Sequence, residues 1–333
     1  MKYTIKDIAR LAGVSTATVS KVINRKDHEI TEATRKKVMS IVRQYNYVPN
    51  RIASSMVTKK THTIGLIIPD ISNPFFPELA RGVEDYASDL GYAVFLCNTD
   101  NDALKEQSYL EKLQEKMVDG IIIAASDHQR HVSKSLKGAQ IPIVTVDRRI
   151  NDFISQGAVE SNNLLGAHEA VSYLLTKGLN KILYLSGPLN NKPSNERLQG
   201  YINALEDHNQ EVKREMILDG SFTLDWGYSG TLKAMDQGLQ FDSIFCGNDL
   251  IAFGAIQALK LKGLRVPQDI SVIGFDDISL AGIINPPLTT VKQPNYQMGY
   301  ESSKILIGII EKHPPENTKL VLNTKLIIRD SVV

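Results

Sequence analysis

The chain has 333 residues, 42% of them apolar and 23% charged, with a formal net charge of +1, which is the composition of an ordinary globular protein long enough for more than one buried core. No apolar run is long enough to span a bilayer, and the N-terminus enters a polar, helix-patterned segment rather than an apolar leader. Membrane and secreted classes are therefore set aside, and a cytoplasmic location is expected.

Charge is unevenly spread. Residues 1–60 carry 13 Lys/Arg against 4 Asp/Glu, and the remainder carries 25 against 33. A basic head on an acidic body points the head toward a polyanion. Within it, Thr4 and Asp7 form an N-capping pair, and Ile5, Ile8, Ala9 and Ala12 share one helical face. Gly13-Val14 breaks that helix. Ser15 caps a second one, whose inward stripe is Val19, Val22 and Ile23. Two short helices joined by a tight Gly-containing turn make a helix-turn-helix. The outer face of the second helix is small and polar, with Thr16, Ala17, Thr18, Ser20, Lys21 and Asn24. Thr and Ala suit thymine methyls, and Lys21 suits guanine acceptors in a major groove. A third helix begins at Thr31 and closes a small core with Val38, Ile41, Val42 and Tyr45.

The run Thr4-Ile5-Lys6-Asp7-Ile8-Ala9-Arg10-Leu11-Ala12-Gly13-Val14-Ser15, continued by Thr18-Val19-Ser20-Lys21-Val22-Ile23-Asn24, resembles the LacI/GalR repressor family, as does Tyr47-Val48-Pro49-Asn50. The resemblance covers the whole chain. It implies that Thr16, Ala17 and Lys21 read bases of double-stranded operator DNA, and that Ser15, Thr18, Ser20 and Asn24 contact phosphates. It also implies that Arg51–Met56 is a hinge helix that folds on the operator. Met56 stands where the family carries a Leu wedge, and Met also serves as a minor-groove wedge. Ser54 replaces a frequent basic residue. Taken by itself, the segment is a polar linker too short to be helical alone.

From Thr63 onward apolar strand runs alternate with amphipathic helices. The strands are predicted at Ile64–Ile68, Ala93–Cys97, Gly120–Ala124, Ile143–Val146, Ile182–Leu185, Ser243–Cys246 and Ser271–Gly274. Helices are predicted at Pro77–Leu90, Ala103–Lys116, Leu165–Lys177, Arg197–His208, Trp226–Gln237 and Leu250–Lys262. A last strand-like run is Leu320–Ile328. Repeated βα units imply parallel sheets covered on both faces, and the pattern occurs twice. Cys97 and Cys246 fall inside apolar runs and are expected to be packed free thiols. The fold class is therefore α/β: a three-helix head plus two doubly wound parallel-sheet subdomains, which the resemblance names as the periplasmic-binding-protein fold. The expected division is a reader at 1–47, a hinge at 48–60 and an effector and dimerisation core at 61–333. The first lobe covers about 61–160 plus 293–322, and the second about 161–292 plus the C-terminal segment.

Such lobes place ligands at the carboxyl ends of their strands. Asn73, Phe75 and Phe76 follow the first strand, and Asp147 and Arg148 follow the fourth. Arg197 starts a helix, Phe222 and Trp226 lie beyond it, Asn248-Asp249 and Asp276-Asp277 follow later strands, and Gln293 sits where the chain crosses back. Aromatic rings pack apolar sugar faces while Asp, Asn, Gln and Arg satisfy hydroxyls. Individually these residues are as readily helix caps, turn formers or core. As a set they are similar to the pocket of ribose-binding proteins and of the family's ribose-responsive branch. That similarity implies that Asn73, Phe75, Phe76, Asp147, Arg148, Arg197, Phe222, Asn248, Asp276 and Gln293 contact a neutral sugar, with ribose the expected effector. Ala124 departs from the pattern, standing where those binding proteins carry Asn.

Enzymatic motifs are lacking: the sequence has no phosphate loop, GxSxG elbow or HExxH, and neither a cofactor nor a metal is expected. His128/His131 has a metal-compatible spacing inside a polar, loop-like segment. Asp276 and Asp277 are sequence neighbours, which point apart on extended chain. The expected mechanism is a homodimer that leaves a palindromic operator when sugar changes the closure of its lobes. The family also contains catabolite-control regulators that use a phosphorylated carrier protein, for which the helix Tyr296–Ile310 with Lys304 is the region to inspect. Two lobes of this kind would also suit a sugar-transport protein, which the basic head argues against, or a sugar-converting enzyme. No leucine-heptad helix follows the last strand-like run, so a dimer is expected over a tetramer.

Overall fold

The computed structural model describes residues 3–23, 27–48, 60–126, 141–149 and 154–333. Residues up to Thr61 form one compact unit, and His62–Val333 form a second.

The first unit contains α1 (Ile5–Ala12), α2 (Thr16–Ile23) and α3 (Glu32–Gln44). Thr4 and Asp7 make a reciprocal capping box at the start of α1, and this hydrogen bonding holds the Asp7 carboxyl below the usual range. Gly13 ends the helix at φ +66°, a left-handed conformation that a Cβ would strain, and Val14 N–H then donates to Ala9 O at 3.0 Å. Ser15 Oγ accepts from Thr18 N–H at 3.1 Å and opens α2. Ile8, Ala9, Ala12, Val19, Val22 and Val38 form a small closed core.

The second unit has two lobes, each built on a six-stranded sheet. The first sheet is ordered β11-β5-β4-β3-β1-β2 and the second β12-β10-β9-β8-β6-β7. In chain order the strands are β1 (Thr63–Ile68), β2 (Ala93–Asn98), β3 (Gly120–Ile123), β4 (Ile143–Val146), β5 (Gly157–Ser161), β6 (Ile182–Ser186), β7 (Ile217–Asp219), β8 (Ser243–Cys246), β9 (Ser271–Asp276), β10 (Thr289–Lys292), β11 (Lys319–Leu322) and β12 (Lys325–Ile327). All pairings are parallel except β10 with β12. The helices are α4 (Phe75–Asp89), α5 (Ala103–Glu115), α6 (Asn163–Thr176), α7 (Lys192–Asp207), α8 (Leu224–Asp236), α9 (Asp249–Leu261) and α10 (Asn295–Ile310). Central strands are buried on both faces, as a sheet sandwiched by helices requires. Cys97 and Cys246 are buried and free.

Three strands lie outside the predicted set. Gly157–Ser161, Ile217–Asp219 and Thr289–Lys292 are short and polar enough to read as loop, and neighbouring strands supply their pairing. The run Leu320–Ile328 is two strands, one in each sheet, separated at Asn323-Thr324. Arg197 does not start its helix. Asn191 caps α7 five residues after β6, Pro193 occupies its first turn, and Arg197 falls in the second. The chain therefore passes between the sheets at Ser161–Asn163, Lys292–Asn295 and Leu322–Lys325. Among the described residues no helix is long and apolar enough to cross a membrane.

Candidate effector pocket and DNA-reading helix

The carboxyl ends of both sheets face one pocket. Its lining consists of Asn73, Phe75, Phe76, Asp147 and Arg148 from the first lobe, Pro193, Arg197, Phe222, Asn248 and Asp276 from the second, and Gln293 at a crossing. All ten candidate effector residues thus meet in one place, joined by Pro193. Trp226 does not line it: its Nε1–H donates to Ser186 O at 3.0 Å and its ring packs over Gly220. Ala124 is fully buried in the first-lobe core, also outside the lining.

Local chemistry explains each placement. Asn73 Oδ1 accepts from Phe75 N–H at 3.1 Å and turns the chain into α4. The Phe75 and Phe76 rings meet edge to face at 4.9 Å and are buried, so they serve core and pocket together. Asp147 adopts φ +62° directly after β4, beside Arg148 at 3.4 Å. Asn248 Oδ1 caps α9 by accepting from Ile251 N–H at 2.9 Å, while its Nδ2 is buried with no hydrogen-bond partner among the described residues. The cap and the binding role are compatible, because the side chain has two ends. A buried amide donor left open at a pocket wall calls for an acceptor.

Arg197 is fixed on several sides. Its Nε donates to Asn163 Oδ1 at 2.9 Å and its Nη1 to Gly247 O at 2.5 Å, and its guanidinium lies 3.8 Å from the Phe275 ring centroid. Asp276 Oδ1 stands 3.8 Å from Arg197 Nη2 and accepts from Gln293 Nε2 at 2.7 Å. Ser161 Oγ donates to Gln293 Oε1. Burial pushes the Asp276 carboxyl up to about 7, against the opposing pull of Arg197 and Gln293, and Asp147 adds to the rise. Asp277 turns away to Arg329 at 2.7 Å. Behind the pocket, burial holds the fully buried Asp249 well above the carboxylate range. It accepts from Ile278 N–H at 2.9 Å and from Thr290 Oγ1 at 2.5 Å.

Sequence reasoning missed Pro193, Asn163 and Ser161. Asn163 and Ser161 follow from recognising β5, whose end they mark. Pro193 belongs to a helix start that looks like ordinary capping sequence.

In the head, Ser15, Thr16, Ala17 and Lys21 are exposed, and Thr18 and Ser20 are half-buried on the flank of α2. Lys21 Nζ lies 3.3 Å from Glu29, both side chains being largely in solvent. Asn24 and Met56 lie outside the described residues, as do the hinge segment Arg51–Met56 and the pair His128/His131.

A basic helix-turn-helix unit and a two-lobed cleft thus occur in one chain. The family described as "Bacterial regulatory proteins, lacI family" matches residues 4–50, and "Periplasmic binding proteins and sugar binding domain of LacI family" matches 61–329. This chain belongs to the LacI family. It is a sugar-responsive, DNA-binding transcriptional repressor and, as a member of that family, not an enzyme. A ribose operon repressor of Halalkalibacterium halodurans is 40% identical over 328 residues, which is 98% of this chain and 96% of the relative. A lac repressor dimer bound to operator and the anti-inducer ONPF matches 99% of each chain at 26% identity, with a TM-score of 0.87. A LacI family regulator from Enterococcus faecium with bound ribose covers 81% of this chain and 98% of its own at 31% identity, with a TM-score of 0.72.

Proposed function

We propose that this repressor senses ribose and leaves its operator when the sugar occupies the pocket between the lobes. The observation that carries this reading is the convergence of ten polar and aromatic residues from both lobes on one small pocket. Its charged members balance, Asp147 and Asp276 against Arg148 and Arg197, which suits a neutral ligand. The two carboxylates repel a phosphorylated sugar. Rings at Phe75, Phe76 and Phe222 give the sugar's apolar faces a surface, and the open Nδ2 of Asn248 gives a hydroxyl oxygen a donor.

The ligand's link to DNA is differential affinity: sugar favours one closure state, the operator the other. The working unit is a homodimer on a palindromic operator in the cytoplasm, with Thr16, Ala17 and Lys21 at base edges, Ser15, Thr18, Ser20 and Asn24 at phosphates, and Met56 as minor-groove wedge. Exposed Phe95 and Leu96 on the edge strand β2 and Leu280 and Ile283 in the second lobe are apolar surface that a second copy covers. A phosphocarrier docking on α10 has less support, because Lys304 there is paired with Glu301 at 3.4 Å.

The test is an anisotropy titration of full-length protein on operator DNA selected from a random library, with and without ribose. Ribose is expected to release wild type, whereas Asp147→Ala and Arg148→Ala bind operator normally and ignore ribose, since neither residue reads DNA. Removing either of these buried groups takes an opposite charge from beside the other. Wild-type binding indifferent to ribose rejects the sugar; tighter binding rejects the sign; release of both variants rejects the pocket.

A further inference from the structure

Phe222 belongs to the second-lobe wall of the pocket, on the connection between β7 and α8. Its ring lies directly on main chain. A Cβ built on Gly187, the residue after β6, comes within 2.4 Å of both Cε1 and Cζ of that ring. Gly247, after β8, is part of the same floor, since a Cβ there would lie 2.9 Å from Gly187 N. On the ligand side the ring faces two cations, Arg148 from the first lobe and Arg197 from the second, each 5.7 Å from its centroid. Gly187 is not among the glycines with positive φ, so alanine can adopt its backbone conformation. What excludes a side chain at 187 is the Phe222 ring and nothing in the local torsions.

We infer that Gly187 is a positioning residue for the effector: its missing Cβ sets how deeply Phe222 sits, and so the width left for the sugar. This rests on the sugar-binding reading above. Non-bonded carbons settle at about 3.5–4.0 Å, so a methyl group at 187 displaces the ring by more than about 1 Å. The ring sits at the end of a side chain on a connecting loop, whereas the Gly187 and Gly247 peptides are anchored at two adjacent strand ends. The ring is therefore what moves, and its free direction is into the pocket, toward Arg148 and Arg197. Gly187 itself touches no ligand in this scheme.

The experiment is a double-mutant cycle on the full chain, with ribose affinity measured by calorimetry and unliganded stability by thermal melting. The variants are Gly187→Ala, Phe222→Val and the two combined. Valine ends at Cγ and cannot reach the Cε1 and Cζ positions, so it leaves nothing for the new methyl to displace. Gly187→Ala alone is expected to weaken ribose binding about tenfold, with a melting temperature near that of wild type. In the Phe222→Val background the same change is expected to alter affinity by less than about twofold. Equal losses in both backgrounds, or a Gly187→Ala protein that binds like wild type, overturn the inference while leaving the pocket assignment standing. A wild type that binds neither ribose nor any other pentose or hexose overturns both.

Discussion

Asp276 is a carboxylate whose surroundings conflict. Burial favours its neutral form, whereas Arg197 at 3.8 Å and the Gln293 amide at 2.7 Å favour the charged one, leaving the group at about 7 against an ordinary 3.8. Between those two values the folded chain holds a proton that the unfolded chain has released. Stability contributed by this group is therefore full at pH 4 and below, and falls as pH rises through 7. Asp276→Asn removes the titration, so melting curves from pH 5 to pH 8 are expected to show the variant gaining on wild type as pH rises. A constant difference between the two would place the carboxyl in its ordinary range. The sugar reverses the balance. Hydroxyl groups donating to Asp276 favour the carboxylate, so ribose binding near neutrality releases protons and tightens as pH rises. Calorimetry in buffers of differing ionisation enthalpy reads that proton release. Asp249 behind it shares the burial but has no cation within salt-bridge reach among the described residues, and its hydrogen bonds to Thr290 and the Ile278 amide tie α9 and β10 to the loop after β9.

At the level of elements, α2 shows how a reading helix is kept ready. Its apolar stripe is spent on the head's core, which leaves Thr16, Ala17 and Lys21 outward, and in the free chain Lys21 is held by Glu29 at 3.3 Å. Exposed pairs of this kind contribute about 0.2–1 kcal/mol, so the pair restrains Lys21 without blocking it. Glu29→Gln frees the lysine and removes a negative charge from a surface meant for phosphate. Affinity for operator is expected to rise about two- to fivefold in low salt and less in high salt. Unchanged or weaker binding in low salt would show that Glu29 lies outside the DNA face. The capping signals of α1 to α3 are local, a side chain and a backbone group three residues apart, and they are legible in sequence for that reason. The βα alternation is legible because the buried strands β1, β3, β4, β6 and β8 are mostly apolar. β5, β7 and β10 are not, since their strand character comes from neighbours distant in sequence: Gly157–Ser161 pairs partly with Lys319–Leu322. The pocket's polar residues stand out as strand-end residues, but their supports do not. Asn163 looks like the residue after a cap, and only the fold brings it to Arg197. Gly187 looks like a turn residue until Phe222 is seen resting on it.

At the scale of the whole effector unit, what matters is how two lobes joined by three short crossings settle on one closure. Backbone crossings of this kind permit hinge rotation, so side-chain contacts from lobe to lobe set the equilibrium. One such contact stands outside the pocket. Lys192, at the first position of α7 in the second lobe, reaches Glu160 on β5 of the first at 2.8 Å, and Glu160 also holds Arg149 at 2.5 Å. A lysine at a helix N-terminus opposes the helix dipole, and the local reason to keep one there is the pair of acids it meets, Glu160 and Glu196. Lys192 does not line the pocket. Lys192→Ala therefore removes a bridge that exists only when the lobes are together, while Arg149 still compensates the buried Glu160. The closed arrangement becomes less populated, and apparent affinity falls in proportion to the competent fraction. With the lysine side chain 37% exposed, the expected loss is about two- to fivefold in ribose affinity, carried mostly by faster dissociation. Stopped-flow release of ribose from wild type and Lys192→Ala measures it directly. Equal release rates would mean that the ion pair follows closure without favouring it, and the balance between lobes would then rest on groups inside the pocket, chiefly Arg148 facing Phe222 from the opposite lobe.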